Sequence, residues 1–327
     1  MFMRVLMFAG IWLLILSLFI PVVCGSSASP DSSDIDTARI WTKKAAEYEM
    51  SGMYDQSISA YTSAVRSYPR YTDAWSGMGS VLSRIGRYRE ALAALDQAVA
   101  LDKRDAVALY NRGVVLQRLE RYEQGGQDLA ESLRLSPNNS HALARLGEVQ
   151  LSLKDSNGAL KSFQASASLD PSDGSAYAGL AEALYRSGAY AEAKNATLEA
   201  LNLYPDNLRA WQVMADIAQA EEKGDWAAYY RRTAEDIAEY GLTMPDYAKA
   251  LALQRAFQYE RSLSAYDRAI RKYPGQAIIR VGRGEVLKSL GRYEEALLSY
   301  NQAIGIDPQN TDIRVQSNLV RRKIRDQ

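Results

Sequence analysis

A 34-residue period runs through most of this chain, and it limits what the chain can fold into more than any other feature. Trp41, Trp75, Leu109, Leu143, Tyr177 and Trp211 stand 34 residues apart. Tyr54, Tyr88, Tyr122 and Tyr190 hold a second phase, with Ser156 filling its gap. Ala64, Ala98, Ser132, Ser166 and Ala200 hold a third, in which the residue is always small. Pro69, Pro137, Pro171 and Pro205 close the units, with Lys103 as the exception. After Asn207 one extra residue enters. The pairs Tyr259/Tyr293, Tyr266/Tyr300, Ala269/Ala303 and Pro274/Pro308 are then 34 apart again. Eight units fit between Ala38 and Asn310.

Each unit reads as two short amphipathic helices and a turn. In the stretch Thr72 to Asp105, Trp75, Met78, Gly79 and Leu82 lie at i, i+3, i+4 and i+7, one face of a first helix. Gly86 stops that helix, because glycine enters the left-handed position after a helix cheaply. Tyr88, Ala91, Leu95 and Ala98 give one face of a second helix. Such a pair cannot bury its apolar face alone and needs neighbours of its own kind. Small residues such as Gly79, Gly113, Gly147, Ala91 and Ala98 let helices approach, and Trp75, Tyr88 and Leu95 fill the layers between units. Gly125-Gly126 belongs to this packing and not to a phosphate loop, since Gly125 has the phase of Ala91.

The pattern resembles the tetratricopeptide-repeat (TPR) family, whose 34-residue helix–turn–helix carries Trp, Leu-Gly, Tyr, Ala, Phe and Pro at set places. Trp75, Met78-Gly79, Ala91, Leu95 and Ala98 match it, as do Trp41, Tyr61, Ala64 and Pro69. The resemblance implies an all-α fold: a right-handed α-solenoid of about eight helix–turn–helix units over residues 38–310, with a capping helix over 311–327. Unit four departs from the pattern at Ser156 and Ser166. Unit six, Leu208 to Leu242, keeps Trp211 and Met214-Ala215 but loses register after Glu222, so its second helix, around Trp226 to Tyr240, is irregular.

Residues 1–25 differ in kind. Arg4 is followed by a nearly unbroken apolar run, Val5 to Val23, and then by small residues. This is the layout of a signal peptide, and the run is also long enough for a membrane anchor. In either case the rest of the chain is expected outside the cytoplasm, secreted or membrane-anchored. Residues 26–37 read as a Ser/Asp-rich tether, and Thr37 as the N-cap that opens the repeats. Asn138 and Asn195 begin Asn-X-Ser/Thr triplets that could carry a glycan in an exported protein.

The residues that carry chemistry are few. Cys24 is the only cysteine and His141 the only histidine, which leaves no basis for a thiol nucleophile, a catalytic triad or a Cys/His metal site. No phosphate-loop, dinucleotide, zinc-protease or EF-hand motif occurs, so neither cofactor nor catalysis is expected. Lys plus Arg and Asp plus Glu both number 39, and a chain of zero net charge does not suggest a nucleic-acid surface.

The resemblance implies binding of a protein or extended peptide in a concave groove lined by the first helix of each unit. By phase, the groove takes Arg84, Tyr110, Asn111, Arg118, Arg145, Tyr185, Arg186, Tyr247 and Arg255. Arg84, Arg118, Arg186 and Arg255 share one phase; Glu148, Glu182, Asp216 and Glu285 share another. Two readings stay open. The charges pair within their own helices, as Glu182 and Arg186 can at i, i+4, or the arginines grip an acidic partner with the tyrosines beside them. The family's two-carboxylate clamp is matched only by Asn111, His141 and Arg145, because Ser76 and Ser80 stand where Lys and Asn are needed. A scaffold that binds proteins outside the cytoplasm is the expected function; an accessory or docking subunit of a cell-envelope polymer-synthesis complex is the alternative.

Overall fold

The computed structural model describes residues 32–241 and 244–326. The apolar segment 1–25, Cys24 and the first part of the expected tether lie outside the described residues. Seventeen helices and no strand occur among them. The first helices of successive units are α1 (Ser32–Met50), α3 (Thr72–Arg84), α5 (Ala106–Arg118), α7 (Ser140–Ser152), α9 (Gly174–Arg186), α11 (Leu208–Ala220), α13 (Pro245–Arg255) and α15 (Ala277–Ser289). The second helices are α2 (Tyr54–Ser67), α4 (Tyr88–Leu101), α6 (Tyr122–Leu135), α8 (Ser156–Leu169), α10 (Tyr190–Leu203), α12 (Gly224–Gly241), α14 (Tyr259–Lys272) and α16 (Tyr293–Ile306); α17 (Thr311–Arg325) follows.

The chain divides into two compact parts, one up to Met78 and one from Gly79 onward. In the first, α1 packs on α2, where the Ser57 hydroxyl donates to Ala45 O at 2.8 Å. The ring of Tyr61 fills the space above Gly77. In the second part each helix packs on the next along the chain, and first helices also touch one unit apart in the pairs α5/α7, α7/α9, α9/α11 and α13/α15. This is the helix–turn–helix ladder of an α-solenoid.

Local sequence fixes both ends of the first helices. Asp105, Asn139, Asp173 and Asn207, each 34 after the last, accept backbone N–H bonds as N-caps of α5, α7, α9 and α11. At the other end, a residue with positive φ recurs at 52, 86, 120, 154, 188, 222, 257 and 291. The residue after it donates its N–H five positions back, as Arg87 does to Leu82 O and Arg121 to Leu116 O, both at 2.9 Å. Four of these positions hold glycine; the others are Glu120, Lys154, Glu222 and Phe257. A left-handed conformation costs a side-chain-bearing residue about 1–2 kcal/mol, part of which glycine returns as unfolded-state entropy. Lys154→Gly is therefore expected to raise stability by about 0.5–1 kcal/mol, read as a higher urea midpoint at unchanged slope.

One expectation from sequence is corrected here. Thr37 is not an N-cap: α1 already runs from Ser32, the Thr37 hydroxyl donates back to Ser33 O at 2.8 Å, and Ala38 is fully buried. Asp34 in the first turn favours that early start, so the expected tether ends inside a helix. Unit six keeps its register through the turn at Glu222 and loses it beyond Gly224, as the sequence leads one to expect. Glu222 takes the recurrent positive φ, and α12 starts at Gly224, in phase with Tyr190. The extra residue is absorbed between Gly224 and Tyr259, where α12 runs for 18 residues against 14 in α10.

Aromatic side chains fill the layers of the last units. Tyr247, Tyr266 and Tyr300 lie in one buried cluster with Leu253, Ile279 and Leu287. Burial pushes all three phenols above the ordinary tyrosine range; at Tyr300 the hydrogen bond to Glu285 adds to it. The folded pKa lies above the unfolded one, so the stabilisation is complete below the unfolded pKa and is lost as pH rises through it toward the folded value. Stability is expected to fall above about pH 10, by up to about 1.4 kcal/mol per pH unit for each such tyrosine. Urea unfolding at successive alkaline pH values measures this, and Tyr266→Phe should flatten the slope.

Candidate protein-binding face

Because α5, α7, α9 and α11 begin 34 residues apart behind equivalent caps, side chains of equal phase repeat from one helix to the next. On α5 and α7 they form a cluster about Glu148. Its Oε2 accepts from Arg145 Nη1 at 2.9 Å and from Gln117 Nε2, one unit earlier, at 3.0 Å. Burial works against the charge of Arg145, but the Glu148 carboxylate and the Tyr110 hydroxyl outweigh it and hold the guanidinium pKa above its ordinary value. Tyr110 and Asn111 stand half-buried on α5. Arg118 ends that helix exposed, and Arg84 is exposed at the end of α3.

On α9 and α11 the centre is Glu182. One carboxylate oxygen accepts from Arg186 Nη2 and the other from Arg209 Nε, both at 2.5 Å. Arg186 Nη1 reaches back to Leu151 O at 2.9 Å, a carbonyl at the C-terminal end of α7, where positive charge is favoured. The Arg209 guanidinium lies 5.6 Å from the centre of the Phe163 ring. Two guanidinia about one carboxylate leave a net charge of +1. Tyr185 packs at 5.7 Å from Tyr190, and burial, then the nearby Asp216, raises its pKa.

Two expected residues leave this face. Tyr247 is 4% exposed and packs edge-on to Tyr240 at 4.9 Å, so it belongs to the core. Arg255 is turned onto α12, where Nη2 donates to Asp236 at 2.8 Å and Nη1 to Thr233 at 3.1 Å, above the ring of Tyr229. α12 supplies all of these partners, Tyr240 from the part beyond the usual 14 residues. The row of four arginines therefore divides: Arg84 and Arg118 exposed at helix ends, Arg186 in the triad, Arg255 internal.

Of the residues for a carboxylate clamp, His141 is exposed, Arg145 is engaged by Glu148, and Ser76 is buried. Arg209 was not foreseen, although its place two residues before Trp211 is the phase of Asp73 and His141. Among the described residues no group of three His, Cys, Asp or Glu is placed to hold a metal ion, and no helix is long and apolar enough to cross a membrane.

This fold and this face define a class: helical-repeat scaffolds that present side chains from stacked first helices. Tetratricopeptide-repeat models match residues 76–140, 247–311 and 152–217, together more than half of the chain. The chain belongs to the tetratricopeptide-repeat family, whose members are in general non-catalytic scaffolds. Among curated proteins no sequence matches it. Among solved structures it is similar to pilF of Pseudomonas aeruginosa, at 24% identity and a TM-score of 0.54 over 65% of this chain and 94% of that one. A tetratricopeptide-repeat protein from Parabacteroides merdae matches at 16% identity and a TM-score of 0.50, over 87% of this chain and 99% of that one. YrrB, described as a TPR protein with an unusual peptide-binding site, matches at 24% identity and a TM-score of 0.48, over 60% and 96%. At these identities the likenesses bear on the fold.

Proposed function

We propose that this chain is a binding scaffold, without catalysis of its own, that holds an acidic segment of a protein partner across α5, α7, α9 and α11, outside the cytoplasm. The observation that carries the reading is the Arg186–Glu182–Arg209 triad. Its guanidinia are pre-positioned, it keeps a net charge of +1, and Tyr185 stands beside it on α9 with Arg118 and Tyr110 on α5. Arginine and tyrosine are the side chains most enriched where protein contacts concentrate their energy, and a guanidinium holds a carboxylate in two parallel bonds. The location rests on Arg4 and the apolar run that follows it.

Each part has its own test. Protease added to intact protoplasts should degrade the chain, and protection until lysis overturns the location. The chain should then capture a partner from envelope extract that is released as NaCl rises from about 50 to about 500 mM, since surface charge contacts are screened over that range. Capture indifferent to salt overturns the acidic-segment reading.

A further inference from the structure

The last helix is built as the first helix of a ninth unit. α17 begins 34 residues after α15, and Asn310 caps it through the N–H groups of Asp312 and Ile313. Arg314 donates to Pro308 O at 2.6 Å, as Arg280 does to Pro274 O and Trp211 to Pro205 O one and three units earlier. Its inner side is buried through Ile313, Ser317 and Val320.

In earlier units the first helix has a further face that receives the unit's own second helix. A small residue marks its centre: Gly113 lies against Leu129, Gly147 against Phe163 and Gly284 against Tyr300, while Ala181, Ala215 and Ala250 in the same phase are at most 2% exposed. One turn on, Leu116 and Leu287 are 4% and 0% exposed. In α17 these two places are Asn318 and Arg321, both exposed, and Arg314 and Arg325 continue the stripe. Beside it an open trough of about 600 Å³ is lined by Leu297, Asn318, Arg321, Arg322, Ile324 and Arg325. Among the described residues, Arg321, Arg322 and Arg325 have no ion-pair partner.

We propose that this trough docks an acidic amphipathic helix of a partner protein, lying where the second helix of a ninth unit would lie. The repeat itself sets the shape, since a second helix fills the equivalent place in each unit from the third to the eighth. Leu297 and Ile324 offer an apolar floor, and the arginines offer the rim. Carboxylates spaced along one edge of the incoming helix meet three guanidinia, which a neutral or basic helix leaves unanswered. A flat bilayer does not enter a trough between two helices. The site is separate from the triad and stands without it.

The test uses the full chain and a labelled peptide with the 14-residue sequence of α16, the occupant of the equivalent place one unit earlier. One version carries glutamate at the positions that flank its packing face; a control carries lysine there. The glutamate peptide should bind saturably and at least about tenfold more tightly than the lysine peptide. Arg321→Glu with Arg325→Glu should reverse that order. Asn318→Gly, which restores the small residue, should tighten the glutamate peptide about threefold, an effect that charge attraction alone does not give. The proposal is overturned if neither peptide binds, if the two bind alike, or if the double variant changes nothing; the arginine stripe then serves only to keep the end of the array in water. It is also overturned if the chain dimerises in sedimentation through these arginines without binding the peptide, which makes a second copy the occupant.

Discussion

Phe163→Ala is expected to cost about 3–5 kcal/mol, the range for emptying a large aromatic site in a packed core. Phe163 is 1% exposed. A Cβ grown on Gly147 or on Gly179 would stand less than 3 Å from its ring, so one side chain of α8 fills the space against both α7 and α9. Small residues on both sides leave nothing to collapse into the void. In a ladder of nearest-neighbour contacts the loss stays local. Amide hydrogen exchange should rise across α7 to α10 and stay nearly unchanged in α15 to α17. A uniform rise through the chain would mean that it unfolds as one body. Phe163→Leu, which keeps most of the volume, should recover more than half of the loss.

The largest expected effect on binding comes from reversing the triad. Arg186→Glu with Arg209→Glu should weaken capture of the acidic partner by about a hundredfold or more, since two favourable charges become repulsive at one contact. Glu182→Gln separates recognition from structure. It removes the carboxylate that both guanidinia hold at 2.5 Å and raises the net charge of the group from +1 to +2. If the triad binds a carboxylate-bearing segment, this variant should bind about three- to tenfold more tightly while losing some thermal stability. If the three side chains serve only to fasten α9 to α11, stability falls and affinity does not move. Tyr247→Phe is the control: it changes a buried residue of the other core layer and should leave binding unchanged.

The repeat could be read from sequence because each unit buries the same positions. Trp41, Trp75 and Trp211, and Tyr54, Tyr88 and Tyr122, recur where neighbouring layers need volume, so one phase gave all the helices of units two to five. The turns were only half legible. Gly86 announces a left-handed residue; Glu120, Lys154, Glu222 and Phe257 do not, because backbone bonds on both sides impose that conformation whatever the side chain. The same blindness hid the intact turn at Glu222, whereas the irregularity of unit six lies beyond it, in the 18-residue α12. At the site, Glu182 and Arg186 are four residues apart and visible as a pair, whereas Arg209 joins them from 27 residues beyond Glu182. Tyr247 and Arg255 have the phase of surface residues, and α12 covers them, with Tyr240 from its extra length and with Thr233 and Asp236 from its body.

The recurrent turn also bears on how such a chain can lengthen. Its bonds run between backbone groups of one helix and the residue just past it, so they ask nothing of any particular side chain. A gene segment coding for one whole unit can be duplicated or lost and every junction closes as before, with the caps and turns still in step. An insertion of a single codon has no such freedom. It must be taken up inside a helix or a loop, and its neighbours must find new partners for whatever it displaces. The one extra residue of unit six is taken up in this way, in the stretch that holds the 18-residue α12.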